Sequence, residues 1–290
     1  MAVYKRTYKP YLGELTAEWS RFFIIPRYAW RSVFQGRFML ILYVICFFYP
    51  IGAAIAIYLN HNLSFLNTFL PRGSNNTSGL FSVDGNFFAL YTGIQSGLAF
   101  VLTSFIGPGL VSGDLLNNAL PLYFCRPFSR TEYVLGKLAV IAQLLAFITW
   151  VPGLVLFGIQ GSLEGWKWVS DNAWLAWGVF FTNFVWTILI SMIALAISAW
   201  VRWKVVAGGM LLVVFFLGSG IGQAINAVLR TDAGYWIDLG TNFSQVCIKF
   251  YRVKGADVTT IEEALTSLTA MCLISIYLLW RKVRAYEVAR

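Results

Sequence analysis

The chain has 290 residues, of which 58% are hydrophobic, 17% aromatic and 12% charged, with a mean hydropathy of +0.67 and a formal net charge of +9. So little polar side chain cannot cover a soluble globule of this size, which points to an all-α integral membrane protein and makes anionic lipid, not nucleic acid, the natural counterpart of the positive charge. One histidine and four cysteines in separate segments leave no metal cluster, haem-ligand pair or Ser/His/Asp set, and a structural disulfide is not expected.

Residues 1–37 form a first, N-terminal unit, and residues 38–290 a six-span transmembrane domain. In the first unit Leu15, Trp19, Phe22, Phe23, Trp30, Val33 and Phe34 recur with the helical period while Arg21, Arg27 and Arg31 fall elsewhere. An amphipathic helix over 14–37 is therefore expected, lying in the membrane interface and kinked at Pro26. The first apolar run begins at Phe38, too late and too long for a cleaved signal peptide, and reads as a retained span. Segments near the ~20 residues needed to cross a bilayer fall at 38–59, 87–111, 134–160, 173–200, 206–229 and 264–280. Six spans put both termini on one side. With that side inward, 16 of the 22 Lys and Arg residues are cytoplasmic, as the positive-inside rule requires.

Residues 60–86 read as an outer loop rich in Asn, Ser and Gly. Its sequons at Asn62 and Asn76 are short enough to occur by chance, and His61 has no second metal ligand near it. On the second span Gly93, Gly97, Ser104 and Gly107 share a face suited to close helix packing, and Gly107-Pro108-Gly109 is expected to loosen the helix as a hinge.

The polar interval from Ser112 to Lys137 is the most informative loop. Gly113 and Asp114 are expected to end one helix and cap the next, so that Asp114 to Tyr123 forms a short helix stopped before Pro127. Leu115, Leu116, Ala119, Leu120 and Tyr123 give that helix an apolar face in need of a partner. Ser129 with Glu132 spells a capping box opening the third span, and Lys137 is expected to snorkel from its start. Arg126, Pro127, Ser129, Arg130, Glu132, Tyr133, Gly136 and Lys137, placed after an acidic residue and a short helix, resemble the first cytoplasmic loop of type 2 ATP-binding-cassette (ABC) permeases. These are the membrane subunits of ABC exporters. Leu115, Leu116, Asn117 and Asn118 depart from the charged residues and Gly-Thr pair of many members. The resemblance implies that the short helix is a coupling helix, with Asp114, Leu116, Leu120, Tyr123, Arg126, Arg130 and Glu132 at the contact with a cytoplasmic ATPase. It also implies a connecting helix leaning on that ATPase at 14–37, against which a passive anchor is the plain alternative.

Beyond the loop, Trp166, Trp168 and Trp174 mark the outer interface, and Trp200 and Trp203 the inner one around a turn at Arg202 and Lys204. Asn183, Thr187, Ser191 and Ser198 form a polar stripe on the fourth span, expected to bond between helices. Gly208, Gly209, Gly218, Gly220 and Gly222 predict close packing or a bend in the fifth span. Residues 230–263 are too apolar for a free loop, so short helices at or dipping into the outer interface are expected there.

No Asp, Glu or Arg falls inside the proposed spans, and no phosphate-binding Gly-x-x-x-x-Gly-Lys-Ser/Thr loop is present, since Gly136-Lys137 is followed by Leu138. Neither an ion-driven carrier nor an ATPase is spelled in the chain. The expectation is a non-enzymatic permease subunit whose cofactor, ATP-Mg, is held by the partner ATPase, and which pairs with a second permease subunit, as a homodimer or heterodimer, in a bacterial inner membrane. A membrane scaffold without transport activity is the alternative of a different class. In the paired reading the second and fifth spans face the partner permease, and Gln95, Gln223 and Asn226 form a polar collar, the competing reading being amide bonds within one subunit.

Overall fold

The computed structural model describes residues 23–62, 82–124, 129–255 and 258–284. Within them the chain is all-α, with six helical stretches long and apolar enough to cross a membrane. In order, the elements are α1 (Ile24–Val33), α2 (Arg37–His61), α3 (Gly85–Leu116), α4 (Leu120–Phe124), α5 (Arg130–Ile148), α6 (Trp150–Glu164), α7 (Trp166–Asp171), α8 (Ala173–Trp200), α9 (Lys204–Leu229), a 3-10 turn (Ala233–Trp236), α10 (Leu239–Phe250) and α11 (Ile261–Arg284). Residues 1–22, the sequon at Asn76, Cys125, Arg126 and Pro127 lie outside the described residues.

Two helices form the centre. α3 and α8 share the most extensive contact in the molecule, while α5, α6, α9, α10 and α11 pack around α8. At their crossing Gly107 meets Ala194 so closely that a Cβ on Gly107 would lie 2.7 Å from the alanine methyl. One residue on, Pro108 lacks the amide that a helix needs. The Ser198 hydroxyl fastens the following turn to α8, donating to the Pro108 carbonyl (2.6 Å) and accepting from Val111 N (3.2 Å) and Ser112 N (2.9 Å). The expected hinge is thus a clamp: α3 runs through it as a helix, fastened to α8. On the other flank Gly208 lets α9 approach until a Cβ there would lie 2.6 Å from the Ser104 carbonyl oxygen, so close packing is the role of that glycine.

The third span is broken where the sequence suggested continuity. α5 ends at Ile148 and α6 begins at Trp150, with Thr149 between them at φ −106°, ψ −90°. Pro152 in the first turn of α6 has no amide to offer the Ile148 carbonyl, and the Thr149 carbonyl accepts from both Gly153 N at 3.3 Å and the Tyr91 hydroxyl at 2.7 Å.

At the same end of the bundle the segment after α9 folds inward, as its apolar content predicts. Gly222 and Gly234 bring α9 against the 3-10 turn with no room for a side chain on either. Asp238 caps α10, accepting from Thr241 N at 3.1 Å, and Leu239, Phe243 and Val246 are buried. Tyr251 then drives its ring into the core, where its hydroxyl meets Thr92 Oγ1 (2.6 Å) and Thr182 Oγ1 (3.0 Å).

Several expectations need correction. Of the helix expected over 14–37, residues 14–22 lie outside the described residues; α1 runs from Ile24 to Val33 with Pro26 in its first turn and stops before the turn at Phe34–Gly36 that opens α2. It packs on α5, with Trp30 Nε1 donating to Gln143 Oε1 at 3.2 Å. Among the described residues nothing lies within 4 Å of a Cβ on Gly93 or Gly97, so these two positions of α3 are open there. The polar stripe on α8 is bonded at Asn183 and Ser198, whereas the hydroxyls of Thr187 and Ser191 are buried without a partner.

Candidate functional site

The ends of α3 and α5 converge with α4 at one end of the bundle, and the cluster they make is built by local rules. α3 carries on past Gly113, so Asp114 is a helical residue near its C-terminus, not the cap that the sequence suggested. The helix stops at Leu116, and Asn118 adopts the left-handed conformation at φ 51°, which asparagine tolerates better than most residues. The Ala119 amide returns to the Asp114 carbonyl at 2.8 Å, closing the turn. α4 follows over only five residues.

The expected capping box opens α5. Ser129 Oγ accepts from Glu132 N at 3.2 Å, and the Glu132 carboxylate accepts from Ser129 N at 2.6 Å. Starting the helix there puts Tyr133 and Lys137, one turn apart, on the face toward α3. Both reach Asp114. Its Oδ2 accepts from the Tyr133 hydroxyl at 2.8 Å and pairs with Lys137 Nζ at 2.8 Å. Tyr133 is fully buried and Lys137 is 7% exposed, so this lysine does not snorkel: it is buried and neutralised. Its ammonium also stands 5.5 Å from the Tyr133 ring centroid. The Tyr123 ring of α4 packs on Tyr133 at 5.5 Å. Partial burial, and then the neighbouring Asp114 charge, hold the Tyr123 hydroxyl above its ordinary pKa.

This arrangement is a mechanical latch. One carboxylate ties the last turn of α3 to the first turns of α5, and Leu120 of α4 is locked beneath with 1% of its surface exposed. A buried pair of this kind adds little net stability over an apolar substitute, yet losing one partner costs about 3–5 kcal/mol because the other charge is stranded. The apolar face assigned to the short helix is accordingly divided. Leu115 and Leu120 are satisfied inside the chain, Tyr123 is half-buried, and Leu116 alone of the large side chains projects outward, 63% exposed. Arg130 and Glu132 sit in the first turn of α5, and Arg126 lies outside the described residues. The Asp114–Lys137 pair is not legible in the sequence as long as a lysine at the start of a span is expected to be solvated. The signal available was the four-residue spacing of Tyr133 and Lys137 opposite the only acidic residue of the preceding helix end.

Beside the latch lies a cavity of ≈ 560 Å³, walled by α1, α3, α5 and the start of α9 and lined in part by Tyr28, Met39, Phe105, Lys137 and Lys204.

Within this chain each of the three amides of the expected collar has its own partner. Gln95 is fully buried and donates to the Cys46 carbonyl of α2 at 3.2 Å, and Asn226 accepts from Gly234 N at 2.7 Å. Gln223 is exposed and donates to Ser219 Oγ at 3.3 Å on its own helix. The alternative of bonds within one subunit describes the first two. Among the described residues no group of three His, Cys, Asp or Glu is placed to hold a metal ion, and His61 is an exposed residue at the end of α2. No known protein-family model matches the chain, and no curated protein matches it.

Proposed function

We propose that the chain is the membrane subunit of an ATP-driven exporter, in which a separate cytoplasmic ATPase acts on the end of the bundle that carries Asp114. The observation that carries this reading is the latch. A displacement of α4 or Leu116 is delivered through Asp114, Tyr133 and Lys137 to α3 and α5 together, and α3 is clamped in turn to the central α8 through Ser198. A loop whose only task was to join two spans would not need a buried ion pair at its root. The positive-inside distribution of Lys and Arg supports a cytoplasmic position for this end.

A second membrane subunit fits the surface that this chain leaves uncovered. The open Gly93 and Gly97 face of α3 adjoins exposed Ile94 and Val101, and α9 presents Val206, Met210, Val213 and Leu217 outward. Small residues that no other described residue approaches allow a neighbouring helix to come close.

The test is biochemical. Coexpressed with a cytoplasmic ABC ATPase subunit from the same organism, the chain should copurify with that subunit and raise its ATP hydrolysis in liposomes. Leu116→Asp should abolish the stimulation with insertion and thermal stability unchanged, because Leu116 supports nothing inside the chain. Full stimulation in that variant would remove α4 from the coupling path, and failure to copurify any ATPase would favour a scaffold.

A further inference from the structure

We infer that the cavity beside the latch binds the phosphate headgroup of an anionic phospholipid, with Lys204 as its principal contact. The inference does not rest on the transport reading. At ≈ 560 Å³ the cavity lies within the roughly 300–1,000 Å³ of small-molecule sites. Ile24, Ile25, Met39, Phe105 and Leu110 make its walls apolar. Its formal charges are Asp114, Lys137 and Lys204, and two cations against one carboxylate leave one positive charge in excess. Asp114 is already committed to Lys137 at 2.8 Å, so the excess belongs to Lys204, which has no acidic partner among the described residues.

The lysine is held toward the cavity by a neighbouring absence. Its stem crosses α3 at Gly109, where a Cβ would lie 3.2 Å from Cε and 3.5 Å from Nζ, so any side chain there would displace it. Lys204 also occupies the first turn of α9, where a cation opposes the helix dipole, and no acidic residue in that turn offsets it. A bound phosphate would relieve both. Tyr28 and Ser32 of α1 line the same cavity with hydroxyl donors. A pocket with apolar walls and a single exposed cation that has no acidic partner among the described residues suits a monoanionic amphiphile, whose chains follow the walls while its phosphate meets the ammonium.

The test is native mass spectrometry of the detergent-purified full chain with added phosphatidylglycerol or phosphatidylcholine. The unmodified chain should retain phosphatidylglycerol about tenfold over phosphatidylcholine, equivalent to about 1.4 kcal/mol. Lys204→Gln should bring the ratio close to one, and so should Ser32→Trp, which fills the cavity from an exposed position on α1. Arg27→Gln removes an equal charge from α1 outside the cavity lining and should leave the preference intact. An undiminished preference in Lys204→Gln, or an equal loss in Arg27→Gln, would overturn the site. Excess glycerol 1-phosphate separates the possible sources of the phosphate: retention of the lipid in its presence supports the amphiphile, whereas binding of glycerol 1-phosphate by a chain with no lipid preference overturns the lipid assignment.

Discussion

Single side chains decide where this bundle can move. Ser198 bonds three backbone groups of α3 around Pro108, so Ser198→Ala removes the polar tie between α3 and α8 and should destabilise the chain by about 1–3 kcal/mol. Thr187, four residues from Ser191 on the same helix, has a buried hydroxyl with no partner. Thr187→Val, nearly isosteric, should be neutral or stabilising. Unfolding of both variants in mixed micelles with increasing SDS measures the contrast, and equal losses would refute the clamp. The latch admits a sharper test. Asp114→Asn or Lys137→Met alone should cost about 3–5 kcal/mol, while the double variant should recover a large part of that loss, because neither charge is then left buried alone. Additive losses across the cycle would show that the pair is not coupled.

At the scale of elements, α4 shows how an apolar face can be misjudged from spacing. Leu116 and Leu120 lie one turn apart in sequence, but the left-handed Asn118 breaks the helix between them and sends them to opposite fates. Leu120→Asp should therefore lower the thermal unfolding temperature in detergent and reduce expression, by the roughly 2–5 kcal/mol typical of a lost buried leucine or more. Leu116→Asp should unfold like the unmodified chain. Equal stability of the two variants would mean that Leu120 is not held beneath α4. The interruption between α5 and α6 belongs to the same scale. A proline in the first turn and a tyrosine from α3 that bonds the carbonyl at the break together set an angle that no apolar run reveals.

For the whole molecule, the alternation of six membrane-length helices places the turn at Trp203 and the turn at Trp166 at opposite ends of α8. In a background without native cysteines, single cysteines at 166 and 203 should react with impermeant maleimide from opposite sides of sealed vesicles. Both are well exposed, at 83% and 74%. Labelling from one side only would exclude a membrane crossing by α8. The peripheral α2, α9 and α11 keep much of their apolar surface outward, whereas α3 and α8 are mostly buried, so the rim and the open face of α3 are left for lipid or a neighbouring subunit.

Composition and apolar run length determined the fold class, because a backbone in hydrocarbon must satisfy its own hydrogen bonds and ~20 residues of helix are needed to cross. The number of spans, the capping box at Ser129 and Glu132, and the inward fold of the segment before α11 were legible for equally local reasons. Tertiary structure alone decided the partners. That Asp114 extends α3 instead of capping a new helix, that Lys137 is neutralised instead of solvated, and that Gln95 bonds the Cys46 carbonyl of α2 depend on helix rotation and crossing points. Those are fixed by packing contacts such as Gly107 on Ala194 and Gly208 on Ser104 between residues far apart in the chain. Periodicity says which residues share a face; only the packed bundle says what that face meets.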